Sequence, residues 1–358
     1  MKNHISIVIP TYNEKRNIEI LIPKIFDVLK KNDLSGEVII VDDNSPDKTY
    51  SVVKGFMKRY NVKLIQRKEK LGLGSAYKEG FSKASGDIIF QMDADLSHEP
   101  KSIPMFIEKI KQGFDMVLGS RAVKDGKRQG STARKIFPFM GNLLYRIIGS
   151  TVKDSTSGYR CFKKSILDKI KIKDLPDNFA FLTAILFRVL ENGGKIAEIP
   201  INFDERKFGE PKYSSKEMLG NLKLFFNLLS NSSLSRAQFI RFSMVGALGT
   251  LVNILVLYFL VEFISLWYMV SATIAFVVAL TNNYIFNRLW TFSSKEIKIL
   301  KQYSKFFAIN MIGLVINLSI LYALVEFENL WYVFAQILSI TAAWISNFMG
   351  NKLWVFKN

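Results

Sequence analysis

One cysteine, Cys161, stands among 358 residues. No intrachain disulfide can form, which fits a reducing compartment. Acidic residues are in deficit: 31 Asp and Glu against 49 Lys and Arg leave a net charge of +18. Hydrophobic residues nevertheless make up 49% of the chain. So apolar a composition argues against a nucleic-acid binder and fits a basic protein at an anionic membrane surface. The stretch before the first strand is too short to be expected to act as a secretory leader. Met1-Lys2-Asn3-His4 runs directly into the strand-like Ile5-Ser6-Ile7-Val8-Ile9, so the domain it opens is expected to stay in the cytoplasm. No Walker A loop occurs. The glycine-rich Lys70-Leu71-Gly72-Leu73-Gly74-Ser75-Ala76 lacks that spacing and reads only as backbone able to approach a ligand closely.

Composition changes near residue 235. Before it, apolar runs at 5–9, 37–42, 62–66, 87–92, 115–119 and 196–203 read as strands. Helical stretches at 15–31, 47–60, 73–84 and 101–112 lie between them. This alternation predicts an α/β domain with a mostly parallel sheet covered on both faces. After residue 235 come four apolar segments, 239–263, 267–287, 305–325 and 331–350, each near the length that crosses a bilayer. The expected organisation is a catalytic domain at 1–213, interfacial linker helices at 214–236 and a four-span membrane domain at 237–358.

The membrane half repeats itself with a spacing of 64 residues, as from Gly249 to Gly313. Asn253 recurs as Asn317, Asn283 as Asn347 and Asn287 as Asn351. Leu260-Val261-Glu262-Phe263 recurs as Leu324-Val325-Glu326-Phe327. Two spans per repeat make both copies run the same way through the membrane, a parallel repeat of hairpins. Lys and Arg crowd the 288–305 connection and the C-terminus, while the hairpin tips near 264–266 and 327–330 carry none. The basic side is therefore expected to be cytoplasmic, in a multi-pass protein of the cell membrane. Residues 131–150 and 214–231 mix basic with large apolar residues, as helices lying in a headgroup plane do.

The chemistry concentrates at strand ends. Ile88-Ile89-Phe90-Gln91-Met92 runs into Asp93-Ala94-Asp95. Alternate residues of a strand point one way, so both carboxylates would aim at one spot. A divalent cation carrying a nucleotide diphosphate suits that pair, because Mg²⁺ takes one or two carboxylates plus phosphate oxygens. Two other runs end in Pro10-Thr11-Tyr12-Asn13-Glu14 and Val41-Asp42-Asp43. Open α/β sheets bind ligands at such an edge. Asp43 is a candidate for a ribose or base edge, and Tyr12 for stacking on the base. Arg121, Arg134, Arg206 and Lys212 are candidate phosphate-binding cations.

As a set, Pro10–Glu14, Val41-Asp42-Asp43, Asp93–His98, Gly119-Ser120-Arg121, Asp154–Arg160, Glu198–Ile201 and Arg206–Lys212 resemble family 2 glycosyltransferases of GT-A (Rossmann-like) fold. Within that family they resemble the dolichyl-phosphate mannose synthases, and the second half resembles the GtrA-like membrane domain. The resemblance implies metal-dependent, inverting transfer of mannose from GDP-mannose to dolichyl or another polyprenyl phosphate. Alternatives are UDP-glucose as donor and movement of a lipid-linked sugar by the membrane half. It further implies that Pro10, Tyr12, Glu14, Val41, Asp43, Asp93 and Ala94 bind the nucleotide-sugar. Asp95 would touch both nucleotide-sugar and metal (Mg²⁺ or Mn²⁺). Arg121, Arg206 and Lys212 would hold the donor diphosphate, and Arg121 and Arg134 the acceptor phosphate. Many relatives carry a Gln metal ligand where this chain has Ser97, a shorter donor beside Asp93 and Asp95. The implied partners are these substrates and the membrane, with no nucleic acid, and a homo-oligomer is compatible with them.

Overall fold

The computed structural model describes residues 4–128, 141–203 and 215–357. It divides into two compact units, Met1–Asn227 and Leu228–Asn358. The division falls inside the stretch expected to be a linker.

In the first unit the strands are β1 (His4–Thr11), β2 (Ser35–Asp42), β3 (Val62–Gln66), β4 (Ile88–Gln91) and β5 (Met116–Ser120). They are followed by β6 (Lys127–Arg128), β7 (Arg160–Lys163), β8 (Ile196–Pro200) and β9 (Asn202–Phe203). The helices are α1 (Lys15–Lys31), α2 (Thr49–Phe56), α3 (Leu73–Lys83) and α4 (Ile103–Lys111). Next come α5 (141–147), α6 (Lys164–Lys169), α7 (Phe181–Glu191) and α8 (Ser215–Asn231).

The main sheet has seven strands in the order β3-β2-β1-β4-β7-β5-β8. Alternation along each strand decides its packing. Ile5, Ile7 and Ile9 of β1 join Val38 and Ile40 of β2 in a core closed by α1, α2 and α4. Val8, Ile39 and Val41 point the other way, into a core closed by α3, α6 and α7. Both faces are thus buried, as a helix-covered sheet requires.

Two features depart from the sequence reading. The apolar stretch 196–203 is two strands, and β9 pairs with β6 in a separate small sheet. The main sheet also contains β7, which no run of apolar residues announced. It is antiparallel to both β4 and β5, with Arg160 opposite Gln91 and Leu118. A reversed strand begins where its parallel neighbours end. The segment leading into β7, residues 154–160, is thereby delivered to the edge where β1, β2 and β4 finish.

At the opposite end of the sheet, Glu37 is enclosed. Burial alone would raise its pKa, but Lys63, the Ser85 N–H and the Ser6 and Ser85 hydroxyls hold the carboxyl down to about 2. A carboxylate depressed in the folded state contributes stability above its unfolded pKa and loses it as pH falls through the folded value. From the ordinary carboxyl value of 4.5 down to about 2, the first unit should lose up to about 3 kcal/mol from this group, less for the solvent around the half-exposed Lys63. Melting temperatures of Glu37→Gln should therefore vary less over that pH interval than those of the unaltered chain. Parallel pH profiles would contradict the assignment.

The second unit contains α9 (Ser235–Glu262), α10 (Tyr268–Phe286), α11 (Ile299–Glu326) and α12 (Tyr332–Gly350). Both α10 and α12 run on into a π-helical turn, Asn287–Thr291 and Asn351–Val355. Four helices are long and apolar enough to cross a membrane. Their apolar side chains are mostly exposed, among them Leu251, Ile254, Val315 and Leu318. A helix that is apolar all round and still uncovered by protein suits lipid.

The repeat has a structural cause. A Cβ at Gly249 would collide with the Asn283 carboxamide, and one at Gly313 with that of Asn347. Each hairpin thus closes on the same glycine–asparagine contact, where small residues let helices approach. Phe242, Tyr284, Phe292, Phe306, Phe348 and Phe356 form the aromatic core of this unit.

Candidate active site at the strand ends

Three tight turns build the edge. Each carries a non-glycine residue with positive φ just past a strand: Asn13 at 57°, Asn44 at 54° and Leu96 at 66°. Asparagine tolerates this region, whereas leucine adopts it only where surrounding contacts compel it. The first two turns are knitted together. Thr11 and Ser45 hydroxyls donate to Asp42 at 2.8 and 2.6 Å. Backbone N–H groups of Asn13, Glu14 and Lys15 donate to Ser45 Oγ, Thr49 Oγ1 and Asp47 Oδ2 at 3.0, 3.1 and 3.0 Å. The free amides at the start of α1 are satisfied this way by the loop after β2.

Glu14 is buried, and its carboxylate accepts from Asn17 Nδ2 at 2.6 Å. Tyr12 has the Lys70 ammonium 4.3 Å from its ring centre. Pro10 and Val41 pair one position before the ends of β1 and β2. Asp43 is bound to Arg67, whose Nε donates to it at 2.5 Å while its other nitrogens reach Ser75 Oγ and the Gly72 carbonyl at 2.8 and 3.2 Å. Burial raises the Asp43 pKa, with Arg67 opposing. Gly72 and Gly74 owe their smallness to close packing against the backbone of Pro176 and Asp177.

The acid pair is held from several sides. Asp93 is partly open, its side chain 34% exposed. Tyr77 donates its hydroxyl to Asp93 Oδ1 at 3.1 Å, and the Asp93 N–H donates to His98 Nδ1 at 3.0 Å. That bond makes Nδ1 an acceptor, so a neutral His98 carries its proton on Nε2, which faces Asp93 Oδ2 at 3.7 Å. The His98 ring lies stacked on Tyr159, with centroids 4.9 Å apart. Asp95 is only 4% exposed. Its Oδ1 accepts from the Ser97 N–H at 3.1 Å and the Ser97 hydroxyl at 2.5 Å. Ser97 is itself buried, so its hydroxyl orients Asp95. Ala94, between the acids, is buried. Burial first, and then Asp93, pushes the Tyr77 hydroxyl well above its ordinary pKa, so it stays protonated as a donor.

The reversed strand brings Asp154 and Arg160 beside Arg121. Arg121, just past β5, forks onto Asp154 with contacts of 2.7 and 2.8 Å, and also donates to Thr156 Oγ1 at 3.1 Å. Burial opposes ionisation of Asp154, yet the Arg121 fork holds its carboxyl below the usual range. Arg160 is 0% exposed. Its Nε and one terminal nitrogen donate to the Ser157 and Ser155 carbonyls at 2.7 and 2.8 Å, and the other to that of Leu182. Burial lowers its pKa to about 10, with Asp154, Tyr77 and Asp93 opposing. Arg67 was not singled out from the sequence, and Asp154 and Arg160 stood there only within a matching segment, with no role given to either. The partners of Arg67 and Asp154, Asp43 and Arg121, lie in other segments, and spacing along the chain carries no sign of that. Arg134, Arg206 and Lys212 lie outside the described residues.

Gly158 packs where nothing larger fits: a Cβ there would lie 2.9 Å from Asp93 Oδ2 and 3.3 Å from His98 Cε1. Gly158→Ala should displace Asp93 without unfolding the sheet and lower turnover about tenfold or more. A variant of normal turnover would show that the position of Asp93 does not matter.

Among the described residues no three His, Cys, Asp or Glu side chains converge as a metal-ligand set. Two strand-end carboxylates fit a cation that takes its remaining ligands from a diphosphate and water, as Mg²⁺ does.

A helix-covered sheet with an acid pair just past its central strand β4, and one reversed strand beside it, has the GT-A fold. Residues 6–171 match Glycosyl transferase family 2, and residues 241–358 match the GtrA/DPMS transmembrane domain. The chain is 32% identical over 362 residues to a Dolichol-phosphate mannosyltransferase of Pyrococcus furiosus, covering 97% of this chain and 98% of the relative. It is 34% identical over 215 residues to an Undecaprenyl-phosphate mannosyltransferase of Micrococcus luteus, covering 58% of this chain and 86% of that one. Among solved structures, mannosyl-3-phosphoglycerate synthase from Rubrobacter xylanophilus has the same fold, with a TM-score of 0.52 and 18% identity over 63% of this chain and 74% of that one. The chain belongs to the polyprenyl-phosphate mannose synthase family of family 2 glycosyltransferases fused to a GtrA-type membrane domain. It is a multi-pass membrane glycosyltransferase.

Proposed function

We propose that the chain transfers mannose, with inversion, from GDP-mannose to dolichyl or another polyprenyl phosphate. The likeness that supports this most runs through both halves, at 32% identity over 97% of the chain to a Dolichol-phosphate mannosyltransferase. In this reading Pro10, Tyr12, Glu14, Val41, Asp43, Asp93 and Ala94 line the nucleotide-sugar. Arg67 acts through Asp43 as a positioning residue, on the strength of their ion pair.

The acceptor phosphate is already an anion near neutral pH and needs no general base. Its oxygen bonds to C1 of the sugar while the bond from C1 to the diphosphate breaks, and GDP leaves with the electron pair. The protein's part is to orient the two substrates and offset charge on the leaving group. Arg121, Arg206 and Lys212 are assigned to the donor diphosphate, and Arg121 and Arg134 to the acceptor phosphate. The Asp154 fork fixes the direction of Arg121. Asp93 and Asp95, with Ser97, would hold Mg²⁺ or Mn²⁺, and a cation bound there would neutralise the departing diphosphate.

Two helices suit a lipid acceptor. Leu143, Leu144 and Ile147 of α5 and Leu219, Leu222 and Phe226 of α8 are exposed apolar side chains. Tyr145 and Phe225 join the two helices with ring centres 6.2 Å apart, and Arg146 and Lys223 are exposed on them. Such faces suit a headgroup layer. The lysine bias of the 288–305 connection supports a cytoplasmic catalytic unit.

The test is donor choice and stereochemistry. Offered GDP-mannose and UDP-glucose in competition, the purified chain should label polyprenyl phosphate with mannose and give the anomer opposite to the donor's. Preferred transfer of glucose, or retention at C1, would refute the proposal in that respect.

A further inference from the structure

The second unit holds a cavity of about 230 Å³. Its lining includes Asn283 and Asn287 from the first hairpin and Asn310, Asn317 and Asn347 from the second, with Trp344. The lining contains no charged side chain. Asn283 and Asn347 hold the same place in the two repeats, each pressed against its own hairpin's glycine. Asn287 opens one π-helical turn and is 2% exposed. Departures from regular helix of this kind are frequent at functional sites. The Oδ1 atoms of Asn283, Asn287 and Asn347 find no hydrogen-bond partner among the described residues. An unmet buried amide costs free energy that a hydrogen-bonding ligand would recover.

We propose that this cavity between the two hairpins binds the uncharged, hydroxyl-bearing head of a lipid-linked sugar. The choice of a sugar in place of a phosphate follows from the lining. Carboxamides accept from hydroxyls through Oδ1 and donate to them through Nδ2, which matches a polyol. A phosphate brought into an uncharged cavity would pay for desolvation with no cation to meet it. The size agrees: the volume equals roughly eight waters at about 30 Å³ each, the scale of one sugar ring rather than of an oligosaccharide. The inference rests on the reading that the catalytic unit makes a sugar lipid, and it adds a second place where that product's head is held.

Trp344 supplies the probe. All five tryptophans lie in the membrane half. A full-length chain carrying Trp267→Phe, Trp290→Phe, Trp331→Phe and Trp354→Phe reports through Trp344 alone. In nanodiscs, hexyl mannoside should change its emission saturably, while hexanol and hexyl phosphate should not. Asn310→Leu, added to that chain, should weaken the response about fivefold, the loss of one neutral hydrogen bond. An equal response to hexanol would make the cavity merely apolar. No response to any of the three would leave a water-filled packing defect and overturn the inference. Synthesis of labelled lipid from GDP-mannose is measured on the same protein. Synthesis without a Trp344 response refutes this site alone. A response without synthesis leaves the site standing and refutes the reading of the catalytic unit.

Discussion

Replacing Asp95 by Asn should lower sugar transfer by about 10²–10³-fold, with the protein still folded. The size is that of removing a preorganised charged group from the point where charge develops. The substitution suits the geometry. Asp95 is buried in the turn after β4, and its Oδ1 accepts two hydrogen bonds from Ser97. Asparagine can keep that oxygen in place, so the turn with Leu96 at φ 66° survives while the charge is lost. Melting should shift by less than about 1 kcal/mol equivalent. Turnover near that of the unaltered chain, with Mg²⁺ or Mn²⁺ supplied, would remove Asp95 from the mechanism.

The second large effect is on folding. Arg160→Met should destabilise the first unit by about 3–5 kcal/mol, because it leaves carbonyls buried without donors. The guanidinium is fully enclosed and donates to the carbonyls of Ser155, Ser157 and Leu182. It ties the segment before β7 to the start of α7, and so fixes Asp154 and Gly158 beside the acid pair. For a unit of this size the melting temperature should fall by roughly 10 °C. Arg160→Lys keeps the charge but reaches fewer carbonyls from one point, and should recover only part of the loss. Melting of Arg160→Met within about 1 kcal/mol of the unaltered chain would contradict this role.

These two residues mark what was legible beforehand. Asp95 stood out because an apolar run leads towards it, and the structure buries it four residues past the end of β4. The four membrane helices were legible from length and apolarity, and the 64-residue repeat paired Gly249 with Gly313 and Asn283 with Asn347, though not each glycine with the asparagine it touches. Arg160 was hidden because it opens a four-residue strand, Arg-Cys-Phe-Lys, with a charge at each end. Such a strand shows no apolar period, and its antiparallel pairing with β4 and β5 depends on partners 42 to 75 residues earlier in the chain. Arg67 was hidden for a related reason. A lone arginine reads as a solvated surface charge until Asp43, 24 residues earlier, closes on it. Asp42 and Asp43 are adjacent and look alike, yet one is bonded by Thr11 and Ser45 and the other by Arg67. Neighbouring strand-end positions face opposite sides of the sheet, and so they meet different partners.

The central claim is that the strand-end acid pair drives transfer of mannose to a lipid phosphate. It is tested most directly by giving the purified full-length chain GDP-[14C]mannose and undecaprenyl phosphate with Mg²⁺, beside its Asp95→Asn variant. The account predicts label in an organic-extractable, acid-labile lipid that depends on the added polyprenyl phosphate and is nearly abolished in the variant. Label confined to the aqueous phase, or equal labelling of lipid by both proteins, would contradict it.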